Sequence, residues 1–168
     1  MSDTGDNGSG TRDEHVATLA RLIHGIRICM FTTADEDGRL MSRPMAVQEV
    51  EFDGDLWFFT KAGGRKAGQI ERDPRVNVSL SSRSSWISIG GTAEIVRDVA
   101  KAKALWNPGI EAWFPNGPED PDIVLIKVHA EGAEYWDTPG AAIVSVLSFV
   151  KAKVTGKPHH IEDHTVNL

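Results

Sequence analysis

Six β-rich runs joined by short turn signals limit how this chain can fold more than any other feature. Two of the runs flank Asp37 and Gly38 in IRICMFTTADEDGRLMSRPMAVQEV, and the others are DLWFFT, RVNVSLSS, WISIGGTAEIVRD and IVLIKVHAEGAEYWD. An Asp-Gly pair between two such runs is typical of a tight hairpin. A second pair, Asp53 and Gly54, leads into DLWFFT, so we predict that the first three strands form an antiparallel meander.

The close spacing of these runs decides the fold class. Parallel strands need crossover connections of about a dozen residues or more, which are usually helical. The short links here leave no room for a doubly wound parallel sheet. Antiparallel strands with a few flanking helices favour a closed or split barrel.

Four segments are predicted to be helical. They are residues 13–24, GRKAGQIER, VAKAKALW with Asp98 as its cap, and a last helix in GAAIVSVLSFVKAKV. Pro44 lies inside the second run and cannot donate to a ladder, so we predict an edge or a broken ladder there. Gly90 and Gly91 predict a bulge in the fifth run.

Length and charge bound the kind of protein. The 168 residues suit one domain, and we predict a disordered leader over 1–12, a single domain over 13–157 and a flexible tail over 158–168. The net charge of −6 argues against a nucleic-acid partner. The longest apolar run, GAAIVSVLSFV, is far shorter than the roughly 20 residues of a membrane helix. Cys29 has no disulfide partner in the chain, so we predict a small buried core residue and a cytoplasmic location.

A small cationic corner stands out in this net-acidic chain. Lys61, Arg65 and Lys66 fall in a stretch without any acid, beside Gly63 and Gly64 and just after the aromatic run WFF. Cations in a first helical turn oppose the helix dipole, and a bound anion would relieve this conflict. Arg43, on a neighbouring strand, could reach the same place and bind a phosphate in a bidentate way. Thr60 adds a neutral donor, so the corner suits a phosphate joined to a flat ring.

The residue pattern also permits an interpretation without a ligand. Lysine and arginine side chains in a turn are usually only solvated, and GGRKAG matches no standard nucleotide-binding motif. Phe58 is predicted to lie in the core, while Trp57 and Phe59 on the opposite face must meet a helix, a partner or a ligand. The six histidines are scattered, and we predict no metal site, nucleophile or acid–base pair.

Several motifs in order carry a family resemblance. SRPM, LWFFT, the lysine of GRK, IERDPRVNVS, GTAEIV, LWNPGIEAWFPNGPEDPDIVLIKV and AEYWD resemble the general stress protein 26 group of the pyridoxamine 5′-phosphate oxidase-like proteins. The resemblance runs from about His15 to Lys157, and its most specific part is WNP followed by AWFP and PDIVLIKV. It implies a mainly β protein of the α+β class with a six-stranded antiparallel split β-barrel and flanking helices. It also implies a homodimer with FMN at the interface.

The same resemblance implies cofactor contacts at strand ends, at the start of the short helix and in an aromatic flap. With Arg65 added from the cationic corner, the candidate FMN-binding residues are Arg43, Met45, Phe59, Thr60, Arg65, Lys66, Trp106, Trp113 and Phe114. Trp113 and Phe114 could equally be structural, since a dimer interface would use them as well.

Two departures from the family pattern concern polar contacts. Gly64 and Gly90 stand where the family often has serine, and each loss removes a contact worth on the order of 1 kcal/mol. We therefore expect weaker FMN binding and an intact site, with Arg65 compensating for Gly64.

Three functions follow as hypotheses. The first is an FMN-dependent, stress-related oxidoreductase that exchanges electrons with a nicotinamide or another small molecule. The second is a non-catalytic flavin store or sensor. The third is a barrel dimer that has lost its cofactor and acts by interaction alone. We expect no vitamin B6 oxidation.

Overall fold

A computed structural model of the protein describes residues 10–48, 52–137 and 162–168. The helices within these ranges are α1 (Arg12–Ile23), α2 (Arg65–Arg72), α3 (Val99–Leu105) and α4 (Pro108–Glu111). The strands are β1 (Ile28–Ala34), β2 (Leu40–Ala46), β3 (Asp55–Lys61), β4 (Arg75–Ser81), β5 (Ser85–Val96), β6 (Ile123–Asp137) and β7 (Glu162–Asn167).

The strands form one antiparallel sheet in the order β2-β1-β4-β5-β6-β3, with β7 paired to β6. Strand β2 at one end contacts β3 at the other, so the sheet curls round on itself. No ladder joins β2 to β3 within the described ranges. This seam is what makes the barrel split, and it confirms the predicted fold class, with seven described strands where six were predicted.

The predicted meander is wrong after its first hairpin. Strands β1 and β2 do pair around the Asp37-Gly38 turn, where Gly38 has a φ of 77°. Strand β3 pairs with β6 instead of β2. Buried apolar side chains lie on both faces of the two strands, at Phe58 and Phe59 of β3 and at residues 124–126 of β6, and the pairing places them where two layers can cover them. Pro44 lies on the edge strand, as predicted.

Side chains that point into the barrel form the main core. Phe31 of β1 and Phe58 of β3 are fully buried and meet edge to face, with ring centroids 5.1 Å apart. The prediction that Phe58 is a core residue is confirmed. Burying such a side chain contributes about 1.5–3 kcal/mol. A second, smaller cluster lies on the opposite face of β3 and β6, where Phe59 and Leu125 pack under α3 and α4.

The glycine pair in β5 marks a bulge. The register with β6 shifts between Gly90 and Gly91, as the sequence predicts. A Cβ atom on Gly91 would lie 1.9 Å from the carbonyl oxygen of His129, so only glycine fits there. A Cβ atom on Gly90 would meet no atom of the described residues within 4 Å, so the close approach concerns one glycine of the pair.

The helices begin where the sequence supplies caps. Thr11 and Glu14 form a capping box at the start of α1, which therefore begins one residue before the predicted position. The Asp98 side chain accepts a hydrogen bond from the backbone of Lys101 and caps α3, as predicted. The predicted helix in GAAIVSVLSFVKAKV and most of the predicted leader lie outside the described residues.

The predicted flexible tail includes a strand. Residues 162–167 form β7, which extends the sheet beyond β6. Val166 is buried in the main core, and the rings of Tyr135 and His164 stack 4.9 Å apart. The sequence gives little sign of this strand, because the segment is too short to show a clear alternation of apolar and polar residues. Its pairing also depends on a partner more than 20 residues earlier in the sequence.

The single cysteine is expected to be unreactive in the folded protein. Cys29 is buried in the main core, and burial raises the pKa of its thiol to about 12. The thiolate is the reactive form of cysteine. An aromatic disulfide reagent at neutral pH should therefore label the native protein only at the rate at which the core opens and exposes Cys29. Denatured protein is the control and should take up one equivalent at once. Rapid labelling of the native protein would place Cys29 outside the core.

Candidate anion-binding site

Three cationic side chains approach one another where β2 faces the start of α2. Arg43 lies on β2, and Arg65 and Lys66 occupy the first turn of α2. Burial lowers the pKa of Arg43, and the nearby charge of Arg65 lowers it further. The pKa of Lys66 is also lowered, first by burial and then by the charge of Arg43. The three groups are therefore electrostatic neighbours, and Arg43 and Lys66 lie on the same side of the barrel.

Strand alternation explains why Arg43 points inward. It lies opposite Phe31 in the β1–β2 ladder, and Met45, two residues further on, lies opposite Cys29. The thioether of Met45 accepts a hydrogen bond from the Nζ of Lys66 at 3.2 Å. Met45 thus joins the inward face of β2 to the first turn of α2.

Two buried polar side chains hold the guanidinium of Arg43. Its Nη1 donates to the Thr33 hydroxyl at 2.6 Å, and its Nη2 donates to the Gln69 Oε1 at 3.1 Å. The Thr33 hydroxyl in turn donates to the same Gln69 oxygen at 2.7 Å. Thr33 is 1% exposed and Gln69 is 4% exposed, so this network lies in the interior.

No carboxylate neutralises the three cations within the described parts of the chain. None of the ion pairs there includes Arg43, Arg65 or Lys66, and α2 has no acidic residue in its first turn. Gly64 at the N-cap makes no side-chain capping bond, which leaves backbone N–H groups of the first turn open. Partly buried positive charge without a counter-ion is costly, and an anion in this corner would relieve that cost.

The WNP motif builds an aromatic cluster on the outside of β3. Trp106 packs on Phe59 with centroids 5.5 Å apart, and Phe114 lies 6.3 Å from the same ring. Asn107 caps α4 by accepting hydrogen bonds from the N–H groups of Gly109 and Ile110, and Pro108 starts the helix. The Asn107 amide also donates to the Gln48 side chain at 3.2 Å, which ties the motif to the segment after β2.

The remaining predicted residues are less closely tied to the cations. Thr60, the second-last residue of β3, lies on the inward face and is 3% exposed, and its hydroxyl has no hydrogen-bond partner among the described residues. Phe59 points to the other face, where the ring is covered by Trp106 and Phe114. Trp113 is 77% exposed, so in the single chain it is not covered by the Phe59 cluster. Its position at the end of α4 turns the ring away from the Phe59 cluster.

Thr33 and Gln69 were not predicted from the sequence, although a signal for each exists. Thr33 continues the inward alternation of Cys29 and Phe31, so it is a polar residue at a core position. Gln69 lies between buried Ala67 and Ile70 on α2. A buried polar side chain needs a partner, and here both find Arg43.

The other features of the described residues are not part of this site. A cavity of about 770 Å³ lies at the end of α1, and neither Arg43 nor Lys66 lines it. The described residues contain no group of three or more His, Cys, Asp or Glu side chains placed to hold a metal ion. None of their helices is long and apolar enough to cross a membrane.

A seam between β2 and β3, with cations from β2 and α2 beside it, defines a split-barrel protein with a candidate anion site. The family model described as Pyridoxamine 5′-phosphate oxidase like matches residues 14–160. The chain belongs to this family, as the sequence resemblance indicates.

The chain is similar to several known proteins, among them one fungal and two bacterial proteins. The chain is 32% identical over 158 residues to Protein bli-3 of Neurospora crassa, covering 87% of this chain and 76% of that protein. A putative general stress protein 26 from Jannaschia sp. CCS1 has a TM-score of 0.74 at 25% identity, over 93% of this chain and 99% of the other. The general stress FMN/FAD binding protein from Xanthomonas citri has a TM-score of 0.63 at 29% identity, over 74% and 89% of the two chains.

Proposed function

We propose that this protein is a flavoprotein that binds FMN through the cationic corner of Arg43, Arg65 and Lys66. The observation that carries the proposal is the convergence of these three cations, of which Arg43 and Lys66 are partly buried, without a described counter-ion. A phosphate monoester, which carries close to two negative charges at neutral pH, satisfies all three. Membership of the family and the similarity to the general stress FMN/FAD binding protein of Xanthomonas citri support a flavin as the group that carries this phosphate.

The remaining residues fit the rest of such a ligand. The Thr60 hydroxyl is buried without a partner in the described ranges, so it can donate to or accept from a ligand. Met45 offers an apolar contact beside Lys66. Bound FMN would supply electron transfer through its ring, while the protein supplies position and charge.

We propose that a second copy of the chain completes the site. The outer faces of β1 and β5 expose Ile28, Met30 and Trp86, and the small side chains of Ser79 and Ser81 on β4 lie opposite Met30 and Trp86. A sheet face with exposed apolar side chains and small neighbours suits a homodimer contact. Sedimentation equilibrium should give a dimer for the parent and a monomer for Met30→Lys. Val99→Lys, at an exposed apolar position on α3, is the matched control and should stay dimeric. A parent that sediments as a monomer would overturn this part of the proposal.

Reduction kinetics separate an enzyme from a store or sensor. We propose a stress-related oxidoreductase whose flavin is reduced by a nicotinamide or another small donor, in a cytoplasmic setting that keeps Cys29 reduced. FMN-loaded protein is mixed with NADH or NADPH in a stopped-flow instrument, and the flavin absorbance is followed. Bleaching faster than that of free FMN supports the enzyme. Bound flavin that neither donor reduces faster than free FMN favours the store or sensor.

The affinity for FMN is expected to depend on pH through Lys66. Its pKa is lowered in the ligand-free protein by burial and by Arg43, so it loses its charge at a lower pH than an exposed lysine. FMN binding should therefore weaken on the alkaline side before the ordinary lysine range is reached. On the acid side it should weaken below about pH 6, where the phosphate takes up a proton. Fluorescence titrations across this range measure both limbs.

Two further measurements check the assignment to Lys66. Lys66→Arg keeps its charge at all these pH values and should remove the alkaline limb. The stability of the ligand-free protein should depend on pH in the opposite direction. Since the pKa of Lys66 is lower in the folded than in the unfolded chain, stability should rise with pH up to the ordinary value of 10.5. An alkaline limb that persists in Lys66→Arg would assign it to another group.

A further inference from the structure

The guanidinium of Arg43 is engaged on one edge only. Nη1 and Nη2 donate to Thr33 and Gln69, while Nη1 also lies 3.5 Å from the carbonyl oxygen of Phe31. The Nε–H group has no hydrogen-bond partner among the described residues. Because a guanidinium has five N–H donors in a fixed plane, the edge that carries Nε stays available for a second, bidentate contact.

The direction of each hydrogen bond in this network is fixed by chemistry. Arg43 can only donate, so the Thr33 hydroxyl must accept from it and give its own proton to Gln69. The Gln69 atom that faces Arg43 must be the oxygen, since an amide NH₂ group there would meet another donor. The two oxygens lie 2.7 Å apart and are presented side by side, much as the oxygens of a carboxylate would be.

The difference from a carboxylate is the charge. An Asp or Glu in this place would hold Arg43 equally well and would also neutralise it. Thr33 and Gln69 are both nine-tenths buried or more, so the hold is rigid, and both are uncharged.

We propose that Thr33 and Gln69 are positioning residues that fix one edge of Arg43 without neutralising it, so that its other edge presents full positive charge to the phosphate. This inference rests on the proposed function and deepens it. It assigns a role to two residues that need not touch the flavin, and it explains why this polar pair is buried.

The test measures dissociation constants for FMN and for riboflavin, which lacks the phosphate, and follows their ratio. Thr33→Val keeps the shape and removes the hydroxyl, and we expect it to lower the FMN preference about fivefold. Thr33→Ser restores the hydroxyl and should recover the preference. Gln69→Glu keeps both acceptors and adds a charge, so it should lower the preference about tenfold or more at an unchanged or higher melting temperature.

An Arg43→Ala background shows whether the effect runs through Arg43. There, Thr33→Val should change the FMN preference no further, because nothing is left to position. Equal losses with and without Arg43 would overturn the inference, and so would a Gln69→Glu variant that keeps the full preference. A parent that binds riboflavin as tightly as FMN would overturn the proposed function and this inference together. A parent that prefers FMN, with variants that do so equally, would overturn the inference alone.

Discussion

Removing the positive charge of Lys66 or of Arg43 is expected to weaken FMN binding by about 1–3 kcal/mol each, roughly 5- to 150-fold. Each substitution to alanine leaves the phosphate less well paired in a partly buried corner where the lowered pKa values of both groups show that charge is only partly solvated. Riboflavin binding should change little, since it has no phosphate. Calorimetric titration of both ligands measures the difference.

Arg83→Ala is the matched control for these variants. Arg83 is exposed in the turn between β4 and β5, makes no ion pair within the described ranges, and its loss changes the net charge by the same amount. It should bind FMN like the parent. If Lys66→Ala and Arg43→Ala also bind like the parent, the phosphate lies elsewhere. If the two variants lose FMN and riboflavin equally, the cations support the fold rather than the phosphate.

Gly91→Ala is expected to destabilise the fold by about 3 kcal/mol, the upper part of the range for overpacked interiors. The added Cβ would lie 1.9 Å from the carbonyl oxygen of His129, so the β5–β6 ladder must open to admit it. At about 2–4 °C per kcal/mol for a chain of this size, the melting temperature should fall by roughly 6–12 °C. Thermal unfolding followed by circular dichroism measures the change.

Gly90→Ala is the control within the same bulge. A Cβ there meets no atom within 4 Å in the described structure, so the change should stay within about 0.5 kcal/mol. Equal losses in both variants would mean that glycine flexibility, and not the close approach to His129, matters at the bulge. The result also bears on the missing serine contact, because Gly90 has room for a side chain.

The sequence predicts the local features of the fold well. The strand runs, the Asp37-Gly38 hairpin, the Asp98 cap and the bulge at Gly90 and Gly91 all depend on neighbouring residues, and the structure contains each of them. The pairing of β3 with β6 could not be read this way. Its paired residues, such as Phe58 and Ile126, are far apart in the chain. The turn at Gly54 reverses the chain direction but does not determine which strand pairs with β3.

The candidate site was predicted in part for the same reason. Arg43 and Lys66 could be placed because strand alternation and a helix start assign each side chain a face. The link from Arg43 to Thr33 and Gln69 joins three separate elements, so only the folded chain shows it. The sequence pattern also does not predict the exposure of Trp113, because a short helix of four residues sets the direction of its ring.

The central claim is that the corner formed by β2 and α2 recognises the phosphate of a flavin. The most direct test is the ratio of the dissociation constants of riboflavin and FMN for the unmodified protein at one ionic strength. Two cation–phosphate contacts of about 1–3 kcal/mol each predict FMN binding at least about 30-fold tighter. Equal affinity for the two flavins, or no binding of FMN, would contradict the claim.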